Sequence, residues 1–101
     1  MLFPADGVKE GCPSLEELLD LSQKLDKWKP LGRHLLDMAE STITRIHKDN
    51  EELEEKAYQM LRHWNQKKHK KATYQALFSA LCRIDREDLA EEFCRAGTST
   101  F

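Results

Sequence analysis

The sequence predicts an all-α fold, a single antiparallel bundle of six short helices. Three observations carry that expectation. Apolar residues fall at Leu53, Ala57, Met60, Leu61 and Trp64, offsets of 0, 4, 7, 8 and 11, which share one side of a 3.6-residue helix. No window alternates strictly between apolar and polar residues, so no strand is expected. The amphipathic stretches are joined by loops of about two to six residues, and none can bury its apolar face alone, so they must share one core.

Residues 1–13 hold Pro4, Gly7, Gly11 and Pro13 without periodicity and read as a flexible lead-in. Ser14-Leu-Glu-Glu17 has the form of a capping box opening the first helix. Leu15, Leu18, Leu19 and Leu25 are its expected buried stripe, with Ser22 between them. The second helix begins near Trp28, with Pro30 in its first turn, where a missing amide costs nothing. Leu31 and Leu35 face inward, and Gly32, poor in helix propensity, suggests a close approach by another helix.

A third helix after Met38 carries Ile43 and Ile46 and stops around Asp49-Asn50. The fourth is the longest, from about residue 51 to residue 66, and Glu51, Glu52, Glu54 and Glu55 stand at its start. Its end runs into Lys67, Lys68, His69, Lys70 and Lys71, so its charges complement the helix dipole. Thr73 caps the fifth helix, with Leu77, Ala80, Leu81 and Ile84 inside. Asp85 is the expected cap of the sixth, with Leu89 and Phe93 inside and Gly97 at its end. Residues 97–101 are left as a tail.

A chain of 101 residues has room for one domain. With 40% hydrophobic and 34% charged residues it can form a compact core under a charged surface. A net charge of −2 supplies no global field for nucleic acid or an anionic membrane. Cys12, Cys82 and Cys94 are odd in number and widely spaced. They read as free thiols of a reducing compartment, Cys82 a small core residue. The start lacks a signal-peptide pattern, and no stretch approaches the roughly 20 apolar residues of a membrane helix, so a cytoplasmic protein is expected.

The ordered set Trp28-x-x-Leu31-Gly32-Arg33-x-Leu35, Ile43-x-x-Ile46 with Lys48-Asp49-Asn50, Tyr58-Gln59-Met60-Leu61-Arg62-x-Trp64 and Ala72-Thr73-Tyr74-x-x-Leu77-x-x-Ala80-Leu81 resembles the death domain. It covers about residues 14–96, and its specificity lies in the order and spacing of the four pieces together. The fourth-helix segment is most like those of receptor-interacting kinases, Fas-type receptors and ankyrin-repeat proteins with a death domain. The resemblance departs at Leu36-Asp37-Met38, where many relatives have a tight turn one residue shorter. It implies a six-helix Greek-key arrangement and homotypic assembly with other death-domain proteins, self-association included, in cell-death or inflammatory signalling.

The candidate surfaces are charged. Lys67, Lys68, Lys70 and Lys71 admit three roles: nucleic-acid or phosphoinositide binding, a solvated loop, or a basic patch meeting an acidic one on a neighbouring domain. The absence of interleaved aromatics argues against stacked bases, and the resemblance raises the third role. A helical nucleic-acid-binding module built on Lys67 to Lys71 is the rival reading. Glu51 and Glu52 either stabilise the helix start or face a basic partner. Arg33, His34, Asp37, Arg45 and Lys48 point away from the apolar stripes and form a further surface to test.

Trp28 and Trp64 belong to the core by phase, alongside Leu31, Leu35, Ile43, Ile46, Leu53, Ala57, Leu61, Leu77, Leu81 and Leu89. His34, His47, His63 and His69 are never spaced i, i+4, and no cysteine pair has zinc spacing, so no metal or cofactor is expected. No nucleophile with a neighbouring base can be discerned, so neither enzymatic activity nor a small-molecule substrate is expected.

Overall fold

The computed structural model describes residues 7–36 and 38–95, with the backbone alone for His34, Leu35 and Leu36. The expectations for Asp37, Gly97, residues 1–6 and residues 97–101, and for the side chains of His34 and Leu35, lie outside the described residues. Six α-helices follow one another: α1 (Leu15–Ser22), α2 (Trp28–Leu36), α3 (Glu40–Asp49), α4 (Leu53–Lys68), α5 (Tyr74–Arg83) and α6 (Glu87–Cys94). A 3-10 turn, His69–Lys71, joins α4 to α5. Among the described residues the β structure is one isolated antiparallel bridge between Val8 and Arg95.

Spatial order departs from chain order. The α1 helix lies against α4 and α6, α2 against α4 and α5, α3 against α4, and α5 against α6. A simple up-and-down bundle would pair mainly sequential helices; this exchange of partners is the Greek-key arrangement. The α4 helix touches α1, α2 and α3, so its buried face is the hub of the core. Ala57, Met60 and Leu61 there are fully buried, and Trp64 keeps 1% of its surface. Trp28, Leu31, Ile43, Ile46, Leu77, Leu81 and Leu89 are buried around them.

Gly32 shows why α2 can lie so close to α4. A Cβ placed there would stand 3.2 Å from Cγ of Met60 and 3.6 Å from Sδ of Met38. The residue therefore gives up helix propensity to let two helices approach.

Three apolar positions correct the expected core. Leu53 is 48% exposed, because it opens α4 and overhangs the end of the bundle beside the α1–α2 loop. Leu15 and Leu19 are also exposed, whereas Leu18, Leu21, Ser22 and Leu25 are buried. Those four follow the i, i+3, i+4, i+7 rule, so the face of α1 is rotated toward Leu21. Ser22 is tolerated inside because its hydroxyl donates to the Leu19 carbonyl at 2.6 Å.

The ends of the elements follow side-chain chemistry. Ser14 and Glu17 form the complete capping box of α1, and the Thr73 hydroxyl accepts from the Ala76 amide at 3.1 Å. The expected range of α4 is shifted: it runs from Leu53 to Lys68, so Glu51 precedes it and Glu52 is its N-cap residue. Asp85 does not cap α6. Its φ of 63° places it in a left-handed turn, and Arg86 occupies the N-cap position without a side-chain cap. Arg86 instead binds Asp26 at 2.8 Å, linking the α1–α2 loop to the start of α6.

The expected lead-in lies against the bundle from Gly7 onward. The Lys9 amide donates to the Cys94 carbonyl at 2.8 Å, and the Tyr74 amide donates to the Gly11 carbonyl at 3.0 Å. Pro13 is buried. Backbone groups that had no local partner in the sequence thus find one across the fold.

Candidate functional site

The α4 helix carries opposite charges at its two ends. At its start, Asn50 closes α3 by donating its side-chain amide to the Ile46 carbonyl at 3.0 Å. The chain then presents Glu51, Glu52, Glu54 and Glu55, all exposed. None forms an ion pair with a described residue. Glu54 and Glu55 lie in the first turn, where the helix dipole favours negative charge.

At the other end, Lys67 and Lys68 complete α4, and His69 turns the backbone with a φ of 50°. The turn is anchored from beneath. The Ala72 amide donates to the His69 carbonyl at 3.0 Å, and the Cys12 thiol lies 3.6 Å from the His69 and Lys70 carbonyl oxygens. Lys67, Lys70 and Lys71 are exposed, Lys68 is half-buried, and none is paired among the described residues. The basic run is therefore a surface fixed on a short turn. Sixteen helical residues set the two charged ends about 24 Å apart.

The surface formed by α2 and α3 differs. Arg33 grips Glu40 with two hydrogen bonds, one from Nη2 to Oε1 at 3.2 Å. That contact raises the arginine's pKa and lowers the carboxyl's, both chiefly through the hydrogen bond. Arg33 is therefore already engaged, joining α2 to α3. Arg45 and Lys48 are exposed on α3. Beside them, Lys56 of α4 approaches Nδ1 of His47 at 3.0 Å, and the charges of Lys56 and Lys29 lower the pKa of that imidazole.

Two groupings escaped the sequence reading. Glu17 accepts from the Tyr74 hydroxyl and pairs with Lys9 at 3.3 Å, so the capping carboxylate of α1 also ties α5 and the N-terminal segment together. Burial pushes the Glu17 pKa up, but the hydrogen bonds from Tyr74, the Ser14 amide and Lys9 outweigh it and hold the carboxyl below its ordinary value. Burial and the Glu17 contact push the Tyr74 hydroxyl up to about 12. The second grouping is a polar cleft of about 320 Å³ between α3 and α4, with Arg45, Arg62 and His63 on its walls. Residues 59, 62, 63 and 66 follow helical spacing, a signal that could have marked this face in advance.

The thiols also differ from expectation. Cys94 is fully buried and Cys82 only half-buried, so the core cysteine is the later one. Burial pushes the Cys94 thiol up to about 12, and burial with the nearby Glu87 raises that of Cys82. Both are thereby held as poorly reactive thiols.

A family model described as Death domain matches residues 12–96. No curated protein matches the chain significantly.

Proposed function

The chain belongs to the death-domain family, and from that premise we propose that it joins other death domains, its own copies included, head to tail through the two ends of α4. Death domains are protein–protein interaction modules that assemble homotypically. The finer reading is that the lysines at the close of α4 and at the following turn meet the glutamates at the start of α4 on a neighbour. The supporting observation is that the four glutamates and Lys67, Lys70 and Lys71 are exposed, opposite in sign and without ion-pair partners among the described residues. The setting we infer is cell-death or inflammatory signalling in the cytoplasm.

Such a contact is heterologous, because one face meets a different one, and repetition builds a ring or a helix. Exposed charges steer and orient an encounter more than they tighten it. Each contact is therefore weak, and assembly depends on local concentration. Lys70→Glu should abolish assembly in light scattering while helicity and melting stay unchanged. Arg33→Glu should weaken assembly less, because Glu40 already occupies that guanidinium. Undiminished assembly by the Lys70 variant would contradict the proposal.

A further inference from the structure

The polar cleft between α3 and α4 is lined neither by the glutamates at the start of α4 nor by the lysines at its close. Arg45, Asp49 and Asn50 line it from the end of α3. Gln59, Arg62, His63 and Gln66 line it from successive turns of α4. Arg45 and Arg62 are exposed and have no ion-pair partner among the described residues. The side-chain amides add neutral donors. We infer that this cleft binds a phosphate monoester, the side chain of a phosphorylated serine or threonine in a partner segment that also carries basic residues.

The donor set favours phosphate over carboxylate. A phosphorylated side chain carries nearly two charges and three terminal oxygens, and arginine forks match that arrangement. Burial first, then the charges of Lys67 and Arg45, lower the pKa of the His63 imidazole. An unprotonated His63 is ready to gain a proton when a dianion arrives.

The surroundings select the source of the phosphate. Asp49 stands on the cleft wall, and the exposed Glu51 and Glu52 follow directly after Asn50. A flat anionic membrane brought to the cleft would meet those carboxylates. A single phosphorylated side chain avoids them, and basic residues beside it would pair with them. This reading holds for the monomer and does not rest on the head-to-tail contact.

The test is NMR titration of the full chain carrying Lys70→Glu, which separates cleft binding from assembly. The probe is a blocked hexapeptide with one phosphoserine flanked by arginines, compared with its unphosphorylated twin and with phosphatidylserine vesicles. Binding of the phosphopeptide should shift Arg45, Arg62 and His63 resonances and raise the His63 pKa. Arg62→Gln and Arg45→Gln should each weaken it about tenfold or more. Inorganic phosphate should perturb the same residues at higher concentration. Equal binding of the unphosphorylated twin would overturn the inference, as would shifts confined to Lys67–Lys71. Affinity indifferent to both glutamine variants, or vesicle binding in place of peptide binding, would overturn it as well.

Discussion

Replacing Tyr74 by Phe removes one hydroxyl and leaves the ring packed against the core. The lost contact is a hydrogen bond to a carboxylate, the Tyr74 hydroxyl donating to Glu17. Such bonds contribute about 1.5–3 kcal/mol when sheltered. The Glu17 side chain is 31% exposed, so solvent screening lowers the expected loss to about 1 kcal/mol. In a domain of this size that is about 4–8 °C in Tm.

The pH dependence of the difference is more diagnostic than its size. The folded Glu17 carboxyl lies below its ordinary 4.5, so its contribution is present above that pH and is lost as pH falls through the folded value. The folded Tyr74 hydroxyl is raised from 10.0 to about 12, so its contribution is complete below pH 10 and is lost as pH rises toward 12. The gap between wild type and Tyr74→Phe should therefore form a plateau from about pH 5 to 10 and narrow on both sides. Urea titrations across that range read it directly, because groups that titrate alike in both proteins cancel. A gap constant from pH 3 to 12, or no gap at neutral pH, would refute the assigned link between α1 and α5.

Trp64→Ala should cost about 3–5 kcal/mol, enough to unfold much of a marginal domain and collapse its helical circular dichroism. A well-folded variant would show that the indole is not a keystone of the core. Asp85→Gly should raise the urea midpoint by the equivalent of about 0.5–1 kcal/mol, since glycine adopts the left-handed turn without a Cβ penalty; a lower midpoint would mean the aspartate contributes more than its strain costs. Assembly should weaken steeply between about 0.05 and 0.5 M salt while helix content holds, because exposed charges are screened over distances of about 10 Å at 0.1 M. Salt-insensitive assembly would point to an apolar contact instead.

The helices and most of their inward faces were legible because burial and the 3.6-residue period leave the same mark. Met60, Leu61 and Trp64 share one stripe, and the fold buries all three. Leu53 shares the stripe as well, but phase does not reveal where the neighbouring helices end. In α1, leucines at 15, 18, 19 and 21 allow two overlapping faces, and only the packing on α4 and α6 selects the one through Leu21. Asp85 offered a cap for α6, but the turn geometry placed the aspartate in the bend and left Arg86 at the cap position.

Contacts that join distant parts of the chain were illegible for a different reason. Val8 meets Arg95, and Lys9 meets Glu17 beside Tyr74, through partners that no local pattern announces. The charged ends of α4 were visible as runs. Whether such a run is paired or open depends on its neighbours in space, and that separates Arg33, held by Glu40, from Lys70. The cleft on α3 and α4 needed both helices placed before its two arginines could be seen together.

Head-to-tail joining is tested most directly by mixing two crippled copies. Lys70→Glu keeps the acidic end of α4 intact, and Glu54→Lys keeps the basic end intact. Each alone should run as a monomer in light scattering, and their mixture should assemble, because the two intact ends match and the two reversed charges match as well. Assembly by either variant alone, or a mixture that stays monomeric, would contradict the pairing of the two ends.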